Sequence, residues 1–259
     1  MIRSRLVGSL RRQDWTAVVV ELVTVMLGLF LGLQLNDWND ARQARAREKA
    51  ALERLHEESE SIVDYFQKAV ASFDRLNADQ EAAIVALSTG DQAKLDTHEL
   101  AGHIRSMSFY PGIAPPRATY DELSGSGLLN EIGSTSVRTA VARYYAELTW
   151  IQSQLEYFRQ AAPSSAAAPH PGQTAVYDPN APTLKDRFVY SADFAVIASD
   201  RAYMTELVNQ LRNQMVFQSY RKDIEVQAET MCKSLAAALH QACTAAAASV
   251  SPTGDARAK

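Results

Sequence analysis

The sequence predicts an all-α protein in which an N-terminal transmembrane helix continues into a long helix that packs in an antiparallel helical bundle. Two observations lead to this prediction. Residues 16–35 are twenty consecutive residues in which Glu21 is the only charge, and a helix of that length spans roughly 30 Å, the thickness of the hydrocarbon core of a bilayer. After Ala50, apolar residues recur at intervals of three and four, as they do along the seam between packed helices.

The composition of the apolar run favours insertion into a membrane. Its twelve Leu, Val and Phe residues contribute on the order of −4 to −7 kcal/mol, whereas one off-centre carboxylate costs about 3 kcal/mol or less. A cleaved signal peptide is the alternative, but the run exceeds the usual apolar length and no Ala-x-Ala-like site follows it. We therefore expect an uncleaved span over residues 15–38, with Trp15 and Trp38 at the two membrane interfaces.

The flanking charges indicate how the span is oriented. Basic residues are equally numerous on its two sides, but Arg11 and Arg12 lie closest to the apolar run, and the far side begins with Asp37 and Asp40. Positive charge favours the cytoplasmic side. The short basic flank, residues 1–14, is therefore expected in the cytoplasm and the bulk of the chain outside it.

A bundle domain is expected over residues 39–248. No Gly or Pro occurs between the span and Gly90, which predicts nearly continuous helix to Leu87 and a stop at Gly90. This helix carries Phe66 and Phe73 at one heptad position, so both rings should be buried against two later long helices.

Those two long helices are predicted from their apolar faces. The first covers residues 137–162, with its face formed by Val137, Val141, Tyr144, Leu148, Ile151, Leu155 and Phe158. The second covers residues 199–248, with its apolar positions at Leu207, Leu211, Met215, Ile224, Met231, Leu235 and Leu239.

Shorter elements complete the prediction. Short helices are expected over 97–107 and 119–124, and a turn at 125–127. The Pro-, Ala- and Ser-rich residues 163–182 predict a low-complexity loop. The best candidate for a strand is the short segment 187–190, and the tail, residues 249–259, is expected to be disordered.

The two cysteines are expected to be small apolar residues on a packing face. Cys232 and Cys243 are eleven residues apart, which places them roughly 16 Å apart by helical rise. A disulfide tolerates a Cα separation of about 7 Å at most. They therefore cannot pair within an unbroken helix.

The sequence contains no convincing catalytic or metal-binding set. His98 and His103 flank a Glu but are five residues apart, whereas a zincin helix needs a spacing of four. His56, His170 and His240 are scattered without an expected carboxylate or cysteine partner. Residues 124–127 lack the pattern of a phosphate loop or nucleophile elbow and predict a turn. We expect no enzyme, no cofactor and no metal, and the net charge of −4 gives no reason to expect nucleic acid as a partner.

Glu21, Gly28 and Gly32 form the one promising constellation, because spacings of seven and four place them on one helical face. Small residues four apart let helix backbones approach closely. Three interpretations of Glu21 stay open: a neutral carboxyl that hydrogen-bonds between helices of an oligomer, a tolerated or snorkelling carboxyl, and an ion or proton site.

The chain also resembles an uncharacterised family of small bacterial single-pass membrane proteins, known as a domain of unknown function. The resemblance rests on residues 21–28, on Gln34-Leu-Asn-Asp-Trp-Asn39, on residues 119–127 and on Arg143-Tyr-Tyr145. Val20 stands where the family often has Gly. The resemblance implies one membrane pass, a mostly helical domain and no known activity.

These observations predict a non-enzymatic, self-associating structural or interaction protein of the bacterial inner membrane. Its partners would be the lipid bilayer, further copies of the chain and an unidentified protein. The alternative is an oligomeric ion- or proton-coupled membrane component that uses Glu21.

Overall fold

The protein is mostly helical (76%), which confirms the predicted all-α class. The structure is a computed structural model, and it describes residues 15–161 and 170–245. The predicted N-terminal flank and disordered tail lie outside the described residues, as do residues 162–169 of the predicted loop. The chain divides into two compact units, residues 1–51 and residues 52–259.

The described part of the chain contains helices and one small sheet. The helices are α1 (Trp15–Thr89), α2 (Thr97–Ser106), α3 (Ala118–Gly125), α4 (Thr135–Ala161), α5 (Phe194–Ser199) and α6 (Arg201–Ala238). The strands β1 (Gln173–Tyr177) and β2 (Phe188–Ala192) pair antiparallel, with Gln173 opposite Ala192 and Tyr177 opposite Phe188.

The first unit consists, over its described residues, of the N-terminal part of α1. Its described apolar side chains from Val19 to Leu35 are all exposed. Among the described helices, α1 alone is long and apolar enough to cross a membrane, as judged from length and composition. The helix continues through residues 36–39, where Asn36 Nδ2 donates to Asp40 Oδ2 at 3.1 Å.

The second unit is a bundle of residues 52–89 of α1 with α4 and α6. Phe66 is 1% exposed and packs edge-on against Tyr144 of α4, so its predicted burial is confirmed. Phe73 is only half-buried, and its ring lies 3.6 Å from the guanidinium carbon of Arg221 in α6. Every residue of the predicted apolar face of α4 is buried.

The contacts along α1 show the directions of the other two long helices. α6 runs antiparallel to α1, because Gln218 contacts Val70 and the later Cys232 lies beside His56 and Glu60. α4 runs parallel to α1, because Leu52 lies against Gly133, just before α4, while Phe66 meets Tyr144 further along. Residues 107–134 therefore make the return along the bundle that a parallel pair requires.

Part of the predicted low-complexity loop is a strand, which corrects the sequence analysis. β1 contains Thr174, Val176 and Tyr177, residue types that favour extended structure, and it pairs with β2, which covers most of the predicted strand candidate. The hairpin lies against α2: the guanidinium of Arg105 stands 3.4 Å from the ring centre of Tyr190.

The two cysteines are bonded to each other and are not simply apolar residues on a packing face, because the helix predicted to run through both of them ends between them. α6 ends at Ala238 and not at residue 248, and His240 takes a positive φ of 55° in the turn that follows. The chain reverses there and brings Cys243 back to Cys232, with a Cα separation of 5.7 Å and a disulfide between them. The argument against pairing assumed a helix that continues through both positions.

Candidate functional site

The first candidate site is the face of α1 that carries Glu21, Gly28 and Gly32. A Cβ atom added at either glycine would have no heavy atom within 4 Å beyond the adjoining backbone of its own helix. Thr24 satisfies its hydroxyl within the helix, donating to the Val20 carbonyl at 2.7 Å. This face is therefore open to lipid or to a second helix.

Of the two tryptophans predicted at the membrane interfaces, only Trp38 has a described side chain. Trp15 is the first residue of α1, but its side chain lies outside the described part. Trp38 is 59% exposed, and the guanidinium carbon of Arg42 lies 5.9 Å from its ring centre. A half-apolar ring beside a cation suits the boundary between lipid and water.

A second candidate, which the sequence analysis missed, is a buried polar stripe on α6. The stripe consists of Gln210, Gln214, Gln218 and Arg221, all buried and spaced by four, four and three residues. Gln214 Nε2 donates to the carbonyls of Met107 at 2.8 Å and Phe109 at 3.1 Å. Gln218 Nε2 donates to Val70 O and to Asp74 Oδ1, each at 3.0 Å.

The stripe explains how the irregular residues 107–116 are held in the bundle. Backbone carbonyls outside a helix or sheet need side-chain or water donors when they are buried. α4 supplies two more donors: Gln152 Nε2 to the Ile113 carbonyl and Arg159 Nε to the Tyr110 carbonyl, each at 2.9 Å. Polar side chains of α4 and α6 therefore bind the backbone carbonyls of this irregular segment.

Arg221 is the largest fully buried side chain of the described residues. Its guanidinium carbon lies 3.6 Å from the ring centre of Phe73 and 4.3 Å from that of Phe217. Burial lowers its pKa to about 10, so the side chain remains a cation at neutral pH. The faces of the two rings stabilise that charge, and Nη1 reaches Gln218 Oε1 at 3.4 Å.

The first turn of α3 (Ala118–Gly125) is held against α1 by a carboxylate. The Glu58 carboxylate of α1 accepts from the backbone N–H of Thr119 at 2.6 Å and of Tyr120 at 3.1 Å. An anion at this position satisfies the free N–H groups of the first turn of α3 and interacts favourably with the helix dipole. Tyr145 of α4 donates its hydroxyl to the same carboxylate at 3.2 Å.

Two further contacts hold α3 in place. Arg54 and Glu122 form a bidentate ion pair with distances of 2.8 and 3.0 Å. The ring of Tyr120 stacks on that of Tyr145. Burial, and then the charge of Glu58, raise the pKa of Tyr145, so its hydroxyl keeps its proton and serves as a donor. This geometry positions α3 and offers no activated nucleophile.

A third cluster lies beside the disulfide and corrects the analysis of His56. Its Nε2 atom lies 4.0 Å from Glu60 Oε1, one helical turn along α1, and has no hydrogen-bond partner. One ligand atom each from His56, Glu60 and Cys232 lie within 4.8 Å of one another. His170 also has a carboxylate neighbour, since its Nε2 lies 3.3 Å from Asp200 Oδ2.

The remaining sequence candidates take local roles in the structure. His98 lies in the first turn of α2, and its Nδ1 lies 2.8 Å from the Tyr190 carbonyl oxygen. Neither His98 nor His103 belongs to a group of potential metal ligands among the described residues. The predicted turn follows α3 directly, at residues 126–127, with Gly127 at a φ of 78°.

Comparison with protein-family models, with curated proteins and with solved structures gives no match.

Proposed function

We propose that the protein is a membrane-anchored, self-associating helical protein with a structural or interaction role in the bacterial envelope. It would cross the inner membrane once, with its N-terminus in the cytoplasm and residues 52–259 in the periplasm. The observation that carries this proposal is the exposed apolar run of residues 19–35, with its open face at Glu21, Gly28 and Gly32.

Membrane insertion is supported by the amount of apolar surface that this run exposes. Leu29, Phe30 and Leu35 are 64%, 58% and 66% exposed, and apolar residues cover the run on all sides. Soluble proteins rarely expose continuous apolar surface on this scale. A helix that is apolar all round suits a membrane span.

The disulfide supports the proposed orientation. Disulfides form and persist in oxidising compartments such as the periplasm and are rare in the cytosol. The Cys232–Cys243 disulfide thus favours a periplasmic second unit. Arg11 and Arg12 point to the same orientation, because basic residues favour the cytoplasmic side of a span.

Self-association is supported by the chemistry of the open face. Gly28 and Gly32 present no side chain, so a second helix can approach closely and gain van der Waals contact. Glu21 lies on the same face, and we expect it to hydrogen-bond to the neighbouring helix, a contact worth about 0.6 and up to roughly 2 kcal/mol.

We favour an interaction role over catalysis because the buried polar groups of the second unit bind its own backbone. Gln214, Gln218 and Glu58 bind backbone groups, and burial keeps Tyr145 protonated. The partner would be an unidentified envelope protein. An ion- or proton-coupled role stays the second candidate, because Glu21 is an ionisable group inside the proposed span, where a functional role is the default hypothesis.

The mass of the detergent-solubilised complex tests the proposal. Gly28→Leu should weaken the assembly most, Glu21→Leu should weaken it less, and Glu21→Gln should preserve it because the amide still donates. Val23→Leu is the matched control, since position 23 lies about 160° around the helix from Glu21.

A monomeric wild-type complex would contradict self-association. An assembly that Gly28→Leu and Glu21→Leu leave unchanged would place the contact elsewhere. If Glu21→Gln keeps the assembly but abolishes a cellular phenotype, titration of the carboxyl matters and the ion-coupled role is preferred.

A further inference from the structure

The corner where α6 ends against α1 brings together three potential ligands of a soft or borderline metal, His56, Glu60 and Cys232, and Cys243 is bonded to the last of them. His56 and Glu60 lie four residues apart on α1, a spacing that places both side chains on one face. Cys232 lies on α6, and Cys243 lies on the reversed segment that follows it. His56, Cys232 and Cys243 are all buried, and Glu60 is half-buried.

The imidazole of His56 is the group in this corner that is incompletely satisfied. Its side chain is 7% exposed, and Nε2 has no hydrogen-bond partner. A buried polar nitrogen without a partner is unfavourable, so such an atom calls for a specific explanation. Here the Glu60 carboxylate and the Cys232 sulfur lie beside it, each within 4.8 Å.

The distances suit a metal after a small adjustment. Tetrahedral zinc, with a Zn–S distance of about 2.3 Å and a Zn–N distance of about 2.0 Å, holds its donor atoms about 3.3 to 3.8 Å apart. The donors from His56, Glu60 and Cys232 must therefore approach one another by about 1 Å, which side-chain rotation can supply.

The disulfide prevents this site from forming. Disulfide sulfurs are neutral and about 2.0 Å apart, whereas two thiolates on one zinc ion are about 3.8 Å apart. The oxidised pair and a metal-bound pair are thus mutually exclusive states of one corner.

We propose that reduction of the Cys232–Cys243 disulfide converts this corner into a Zn²⁺ site with Cys232, Cys243, His56 and Glu60 as ligands. The reductant is a dithiol. One of its thiolates attacks Cys243 Sγ, the less buried of the two sulfurs, and Cys232 leaves as a thiolate. The second thiol resolves the mixed disulfide, so two electrons pass to the cysteines and the dithiol becomes a disulfide. Zn²⁺ binding then releases the proton of each thiol that is still protonated.

The state of the corner also determines how the segment after α6 is held. The Glu60 carboxylate accepts from the backbone N–H and the hydroxyl of Thr244, at 2.7 and 2.6 Å, and Gln67 Nε2 donates to the Ala245 carbonyl at 3.0 Å. In the oxidised state the disulfide therefore ties this segment to α6 and hydrogen bonds tie it to α1, whereas a bound metal would tie the segment, α6 and α1 together.

Cobalt binding to the full, detergent-solubilised chain tests this proposal. The protein is reduced with a phosphine under anaerobic conditions, freed of reductant and titrated with Co²⁺. The reduced chain should bind one Co²⁺ per chain with a thiolate-to-cobalt charge-transfer band, and Zn²⁺ should displace it. The oxidised chain should show no such band.

Matched variants identify the ligands. His56→Gln and Glu60→Gln should each weaken Co²⁺ binding by about tenfold or more, because each removes a ligand. His103→Gln and Glu57→Gln, outside the corner, should bind as the wild type does. The proposal is overturned by a reduced chain that binds no Co²⁺ through thiolates, by an unchanged His56→Gln titration, or by loss of the helical circular dichroism signal on reduction.

Discussion

Two stretches of α1 differ in how their apolar side chains are arranged and in what covers them. In residues 52–89 most apolar side chains lie on one face, and Leu55, Ile62 and Phe66 are at most 1% exposed. In residues 19–35 they occupy all faces, and every described one is exposed. The first pattern is satisfied within the chain by α4 and α6, whereas the second needs an apolar environment that a single chain does not provide.

The largest expected effect concerns the buried part of this comparison. Phe66→Ala should lower the free energy of unfolding by about 3–5 kcal/mol, because it leaves a cavity in the core. Phe73→Ala should have a smaller effect, since Phe73 is half-buried under Arg221. Denaturant unfolding of the detergent-solubilised chain, followed by circular dichroism, measures both.

Val85→Ala is the control on the same helix, because Val85 is 52% exposed. If Phe66→Ala changes the free energy of unfolding by no more than Val85→Ala does, the seam of α1 is not the core of the second unit.

The next prediction tests whether the polar stripe on α6 stabilises the fold by donating hydrogen bonds to backbone carbonyls. Gln214→Leu keeps the side-chain size but leaves the carbonyls of Met107 and Phe109 without their donor, which should lower the free energy of unfolding by about 1–3 kcal/mol. Met215→Leu, at the neighbouring exposed position, should change it by less than about 0.5 kcal/mol. Equal effects of the two substitutions would contradict the role assigned to the stripe.

Gln214 and Met215 also show which part of the core helical periodicity does not predict. All the residues predicted on the apolar face of α4 are buried, because apolar side chains at helical spacing mark the face that packs. On α6 the prediction placed Met215 in the core, yet it is 40% exposed, and the buried neighbours include Gln214 and Gln218. Those amides are buried because they bind backbone more than 100 residues away, and helical periodicity carries no such information.

Other features depend on contacts that are equally distant. β1 lies in a segment whose composition is typical of loops, and it is a strand because it pairs with β2. The partner of Glu58 is the start of α3, 61 residues along the chain. Glu21, Gly28 and Gly32, in contrast, could be grouped from spacing alone, because all of them lie on one continuous helix.

A moderate effect is expected at Glu58. Glu58→Gln replaces one acceptor oxygen with an amide donor that faces the N–H groups of Thr119 and Tyr120, which should lower the free energy of unfolding by about 1–2 kcal/mol. Glu57→Gln, at an exposed position of the same helix, is the control. An unchanged Glu58→Gln midpoint in urea would mean that α3 does not depend on this cap.

The smallest effect concerns pH. The hydrogen bond from the Tyr203 backbone and other contacts hold the pKa of Asp200 below its ordinary value of 3.8, so the ionised form stabilises the fold. That contribution is present above the unfolded pKa and is lost as the pH falls through the lower, folded pKa. Asp200→Asn keeps a capping oxygen without titrating, so its melting temperature should fall less between neutral and strongly acidic pH than that of the wild type. Identical slopes would contradict the account.

The central claim is that α1 passes from lipid at residues 19–35 into a periplasmic bundle, and a topology reporter tests it most directly. Alkaline phosphatase, which is active only after export, is fused after Lys259, and a fluorescent protein that matures in the cytoplasm is fused at the same position in a parallel strain. The account predicts phosphatase activity in the membrane fraction and no fluorescence. Fluorescence without phosphatase activity would reverse the orientation, and either signal in the soluble fraction would contradict the span itself.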